Sequence, residues 1–188
     1  MIRRYKTACI ALAIIFIIIA ISLYIQTTKN STIDQNTVSN TPELFFGSID
    51  NSALANGEIG RTGYQLLRLP KSEIPHKLYL EGDWDIMEAF ARNKTAGSEI
   101  RVTYTGQNVF MKLQSDDEVR VQIFRDDSNL LQENAGADIV TQDGKSYIIV
   151  KKAKRYHLIS ENDSSTEPHT LKLIILAPEL KASSINFR

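Results

Sequence analysis

The chain has 188 residues, 43% hydrophobic and 23% charged, the make-up of a globular protein with room for one domain and an appendage. Its 22 Lys and Arg balance 22 Asp and Glu, which argues against a dedicated DNA or RNA binder, since such proteins carry a clear basic excess. The single cysteine, Cys9, excludes an internal disulfide, a CxxC redox pair and a cysteine-based zinc site.

The N-terminus opens on the basic head MIRRYKTA and continues as CIALAIIFIIIAISLYI. Nothing from Ala8 to Ile25 is charged, and a helix of that length spans roughly 27 Å, close to a bilayer's hydrocarbon thickness. Residues 1–25 are therefore predicted to be a cytoplasmic basic head and transmembrane anchor. Arg3, Arg4 and Lys6 hold the N-terminus in the cytoplasm. In a bacterium this places the chain in the inner (cytoplasmic) membrane, with its soluble part periplasmic or extracellular. A cleaved signal peptide, with Ala20 and Ser22 before the cut, is the rival reading. The apolar run continues past Ser22 and is rich in isoleucine, which favours an uncleaved anchor. Cys9 precedes the apolar core and is not placed like a lipobox cysteine. Residues 26–40, almost all polar and without periodicity, read as a flexible linker. Asn30-Ser31-Thr32, Asn93-Lys94-Thr95 and Asn162-Asp163-Ser164 match the glycosylation sequon, which matters only in a secretory eukaryotic setting.

Beyond Gly57, Gly60 and Gly63, which mark residues 58–69 as loop rather than helix, short strands follow one another. LYLEG and WDIMEAFA contribute two. EIRVTYTG sets Ile100, Val102 and Tyr104 on one face and Arg101, Thr103 and Thr105 on the other. NVFMKLQ puts Val109, Met111 and Leu113 together, and EVRVQIF does the same with Val119, Val121 and Ile123. Asp143-Gly144 between ADIVTQ and SYIIVKK is a strong hairpin signal. RYHLIS, HTLKLIILA and SSINF supply three more, for about nine strands with polar turns. The predicted fold is all-β: an antiparallel β-sandwich or jelly roll over residues 41–188, preceded by one N-terminal transmembrane helix.

Several short motifs fall in a familiar order. Thr41-Pro42-Glu43-Leu44-Phe45-Phe46-Gly47 is similar to a TPE-x-Y-x-G opening, Glu81-Gly82-Asp83-Trp84 to a G-x-W strand, and Gly136-Ala137-Asp138-Ile139 to a GADV stretch. Lys154 through Ile159 is like an RLY-x-LV strand, with Lys154 at the arginine position. His169-Thr170-Leu171 matches an EHTL element in which Pro168 replaces the glutamate, and Ile185-Asn186-Phe187 stands at a closing aromatic strand. With these motifs the body resembles the C-terminal, carbohydrate-binding-module-like jelly roll of DipZ-type membrane thioredoxin and cytochrome c biogenesis proteins. The resemblance implies a sandwich fold and an accessory place in extracytoplasmic thiol or cytochrome maturation. No thioredoxin domain intervenes, so the redox chemistry of that family is not expected of this chain.

Candidate sites are few. The densest basic cluster, Lys151, Lys152, Lys154 and Arg155, lies between two strands and reads either as a solvated turn or as an anion site. Trp84, the lone tryptophan, is either a core residue or an exposed platform for a sugar ring. Tyr64, Tyr79, Tyr104, Tyr147 and Tyr156 form an aromatic platform if exposed. The ligand-binding candidates are Trp84, Tyr104 and Tyr156 for stacking or packing, and Lys152 and Arg155 for anionic groups. Glu81, Asp83, Asp85 and Glu88 read as solvent-facing alternation, against the alternatives of a glycosidase pair or a calcium site. Asp116-Asp117-Glu118 is the other calcium candidate, and neither cluster has a calcium-loop spacing. His76, His157 and His169 are scattered without ligand spacing. No nucleophile elbow, phosphate loop or catalytic triad is present in the sequence. The expectation is a non-enzymatic module without cofactor or metal, integral to the membrane through one helix and not binding nucleic acid, that recognises a glycan or an extracytoplasmic protein. The alternatives are an assembly domain with no small ligand and a degenerate glycoside hydrolase.

Overall fold

Period-two alternation of apolar and polar side chains builds nearly every element of the computed structural model, which describes residues 42–161 and 167–188. The anchor and linker expected over residues 1–40 lie outside the described residues. Among the described residues no helix is long and apolar enough to cross a membrane. The first seven strands are β1 (Leu44–Phe45), β2 (Gly63–Leu67), β3 (Leu78–Ile86), β4 (Ala91–Asn93), β5 (Ser98–Tyr104), β6 (Asn108–Gln114) and β7 (Val119–Arg125). They are followed by β8 (Ser128–Asn129), β9 (Val140–Gln142), β10 (Lys145–Val150), β11 (Lys154–Ser160), β12 (His169–Ile175) and β13 (Lys181–Phe187). One short 3-10 turn, Gln132–Asn134, interrupts them.

The strands pair antiparallel in two sheets that share β3. The first sheet runs β11–β6–β13, continues through β4 and β1 side by side along β13, and ends with the second half of β3 and with β2. The second runs from the first half of β3 through β5, β12, β7 and β10 to β9, with β8 folded back on β7. β3 changes sheets in mid-strand. Leu78–Glu81 pair with β5, whereas residues from Gly82 onward pair with β2 and β4. Gly82 takes φ +100° at this corner, and a Cβ there would lie 2.9 Å from Ser98 Oγ, so a side chain is disfavoured on both counts.

Ile100, Val102, Tyr104, Val109, Met111, Val121, Ile123, Leu171 and Leu173 all face one core, as the alternation requires. The expected tight turn at Asp143-Gly144 and a second one at Asp126-Asp127 are left-handed. Asp126 and Asp127 (φ 51° and 58°) close β7 on β8, and Asp143 and Gly144 (φ 51° and 70°) close β9 on β10. The structure differs from expectation at two places. Residues 63–67, expected as loop, form edge strand β2, because Gln65 and Leu67 turn inward against β3. LYLEG and WDI are one nine-residue strand carried through Gly82, and the second strand of that region is Ala91–Asn93. The sequon at Asn93 is buried and fully hydrogen-bonded within the fold, which leaves its amide no access to a glycosylating enzyme.

Candidate binding cleft

Strand register lays two rows of outward side chains across the first sheet. His157 of β11, Phe110 of β6 and Asn186 of β13 form one row. Arg155, Lys112, Ser184 and Phe45 of β1 form the next. Between and beside them lie two depressions that share Lys112 and Ser184. One, about 370 Å³, is lined by Glu43, Phe110, Lys112, Arg155, Asn186 and Arg188 as well. The other, about 390 Å³, is lined by Phe45, Gly47, Ile49, Asp50, Glu88, Ala89 and Ser183. Each is of a size ordinary for a small-ligand site.

The Phe110 ring organises the cleft. His157 stacks on it with ring centroids 4.4 Å apart. The Arg155 guanidinium lies over the same ring at 4.6 Å, and that of Arg188 at 5.8 Å. Arg155 Nη2 also donates to Asn186 Oδ1 at 2.8 Å, so the side chain spans β6 and is held at both ends. His157 is held in turn. Its Nε2 lies 3.0 Å from Asn108 Oδ1, and its backbone N–H donates to Asp138 Oδ2 at 2.9 Å. Gly136 brings Asp138 there, for its Cα packs so closely on β11 that a Cβ would sit 2.3 Å from the His157 carbonyl oxygen.

Elsewhere on the surface several cations are neutralised. Arg92 meets Asp85 at 2.7 Å, Arg125 meets Glu161 at 2.7 Å, Lys172 meets Asp127 at 2.6 Å and Lys181 meets Asp116 at 2.9 Å. Lys112, Arg155 and Arg188 have no ion pair among the described residues. Lys112 and Arg155 stand directly opposite each other on β6 and β11, a like-charge juxtaposition that weakens a strand pair.

The sequence candidates divide accordingly. Arg155 lies in the cleft. Lys152 is exposed at the β10–β11 turn and lines neither depression. Lys151 pairs with Glu118 at 2.9 Å and Lys154 with Asp138, so the basic cluster is mostly a solvated, partly neutralised turn. Trp84, Tyr104 and Tyr156 are 0%, 0% and 5% exposed, which corrects the stacking role: a ring without accessible surface offers no face to a sugar. Trp84 Nε1 donates to Glu81 O at 2.9 Å, and the Tyr156 hydroxyl donates to Lys152 O at 3.1 Å. Tyr104 stacks on Phe187 at 5.6 Å, and burial, with Glu161 nearby, pushes its phenol above the ordinary range. Of the other tyrosines Tyr64 is exposed, bonded to Asp83, and Tyr147 lies half-buried under Arg120. Glu81, Asp83 and Asp85 share the half-buried outward phase of β3, with Asp85 committed to Arg92.

Phe110, Lys112 and Arg188 were missed by sequence reasoning. The available signal was an aromatic on the outward phase of NVFMKLQ, two residues from Lys112, where alternation calls for a polar side chain.

A family model described as thioredoxin-like C-terminal domain matches residues 41–187. No curated protein sequence matches the chain. Among solved structures it is similar to a family two carbohydrate esterase from Clostridium thermocellum in complex with cellohexaose (15% identity over 53% of this chain, TM-score 0.41) and to an active-site mutant of that esterase (14% over 79%, TM-score 0.42). A family two carbohydrate esterase from Cellvibrio japonicus is 10% identical over 57%, with a TM-score of 0.45. This chain spans only 27%, 32% and 29% of those proteins, and likenesses at such TM-scores carry no inference about ligand or reaction.

Proposed function

The chain belongs to the thioredoxin-like C-terminal domain family, and from that premise we propose that it is a membrane-anchored, extracytoplasmic, non-catalytic module that binds a glycan. One observation carries the reading: the guanidiniums of Arg155 and Arg188, neither with an ion pair among the described residues, lie over one aromatic ring in a cleft that Lys112 also lines, and Arg155 is held there by Asn186. Preorganisation of this kind lowers the entropy cost of binding. The neighbouring depression adds Phe45 as an apolar face and Ser183 and Ser184 as hydroxyl partners, the mixture that saccharide rings require. The uncharged run from Ala8 to Ile25 supports the anchor, and the DipZ-type resemblance supports an accessory place beside extracytoplasmic thiol or cytochrome maturation.

The test is an array of bacterial envelope glycans probed with the full-length chain in detergent micelles, followed by calorimetry. The expected result is retention of at least one glycan, with affinity lowered at least tenfold in Arg155→Ala. Folded protein that retains none overturns the reading.

A second reading, a protein-assembly domain, rests on β2. This edge strand exposes Tyr64 and Leu66 beside Ile59, a template on which another chain can dock. Crosslinking from position 66 in intact membranes to one reproducible protein, with the glycan array silent, would favour it.

A further inference from the structure

We propose that the occupant of the cleft is an acidic saccharide whose oxyanion, carboxylate or phosphate, sits among Lys112, Arg155 and Arg188; this rests on the glycan-binding reading above.

Lys112 and Arg155 face each other in register across β6 and β11, and like charges so placed destabilise a strand pair. Arg188 brings a third positive charge, 5.8 Å from the ring that Arg155 covers at 4.6 Å. Of the side-chain carboxylates only Glu43 lines that depression, against three cationic side chains, and it makes no ion pair with them among the described residues. An anion between the three converts the repulsion into attraction. The guanidinium of Arg155 lies over Phe110 and is tied by one Nη2 bond to Asn186, which leaves its other N–H groups for a planar or tetrahedral oxyanion.

A bare ion does not account for the rest of the cleft. The charged depression of about 370 Å³ shares Lys112 and Ser184 with the second of about 390 Å³, where Phe45 is apolar and Ser183 and Ser184 are neutral and polar. Sugar rings present C–H faces and hydroxyls together, and one acidic substituent is enough to engage the cations. Asp50 and Glu88 line the far depression, so a uniformly polyanionic chain is disfavoured there.

The experiment is calorimetry on the full-length chain in neutral detergent micelles. The probes are methyl glucuronide and mannose 6-phosphate, each against its neutral counterpart, methyl glucoside and mannose. Sodium acetate, inorganic phosphate and triglutamate complete the set. Expected is at least tenfold tighter binding of one acidic saccharide than of its neutral counterpart. That advantage should shrink as salt rises and disappear in the double variant Arg155→Gln, Arg188→Gln. Arg155→Lys, which keeps the charge and loses the planar fork, should lose several-fold. Lys145→Gln, at an exposed hairpin on the other sheet, should leave affinity unchanged and the variants should keep the parental melting temperature. Equal binding of acidic and neutral saccharides overturns this inference and leaves the glycan reading standing. Acetate, phosphate or triglutamate binding as tightly as the acidic saccharides overturns it in favour of a plain anion or peptide site. Silence from every probe, together with a silent envelope array, removes both.

Discussion

Replacing Asn93 by Ala removes one buried amide that clamps the β12–β13 connection to β4. Its Nδ2 donates to Thr95 O at 2.8 Å and to Ala177 O at 2.9 Å, and its Oδ1 accepts from Leu180 N–H at 2.8 Å. The side chain is 0% exposed, and the connection it holds contains Glu179 at φ 71°, a left-handed conformation that needs support. Thr95 O keeps a second donor, Ser98 Oγ at 2.9 Å, so the truncation strands two groups, Leu180 N–H and Ala177 C=O. A buried polar group left unpaired costs about 1–3 kcal/mol, which for two gives about 2–6 kcal/mol, near 4 at the centre of the range. For a domain of this size each kcal/mol moves the midpoint by about 2–4 °C, so the expected fall is about 10 °C. The assay is thermal unfolding followed by tryptophan fluorescence, because Trp84, the lone tryptophan, is the direct strand partner of Asn93. A fall smaller than about 2 °C would refute the reasoning, since it would mean that water or backbone adjustment satisfies both groups.

Gly136→Ala puts a Cβ 2.3 Å from the His157 carbonyl oxygen, so β11 must give way; the expected cost is about 1–3 kcal/mol in chemical denaturation, with weakened glycan binding because His157 supports Phe110. Tyr156→Phe removes a hydroxyl that donates to Lys152 O and accepts from Lys151 N–H across one turn, and should lower stability by about 1 kcal/mol in urea titration. Burial raises the Asp138 carboxyl, but the Lys154 ammonium and the His157 N–H outweigh it and hold the group below its ordinary 3.8. A depressed folded value means that the contribution is full above the unfolded value and disappears as pH falls through the folded one. The melting temperature should therefore drop below about pH 4, and Asp138→Asn should show a shallower drop over that range; superimposable profiles would discard the assignment.

The sequence by itself determined what depends on neighbours two positions apart. Ile100, Val102 and Tyr104, or Val109, Met111 and Leu113, alternate with polar residues, and a period of two admits one arrangement, a strand with that face inward. Asp143-Gly144 likewise carried its own turn, since both residues accept positive φ. The ordered motifs pointed to the family that the model match over residues 41–187 shows. Tertiary structure decided the rest. Alternation could not say whether Trp84 faces solvent or a second sheet, because β3 changes sheets at Gly82 and its neighbours on either side come from distant segments. Nor could the run Lys151–Arg155 reveal that Arg155 parts from Lys152 and Lys154. Adjacent residues on a strand point to opposite faces, while the register of β11, β6 and β13 gathers Arg155, Phe110, Lys112, Asn186 and Arg188 from remote parts of the chain onto one.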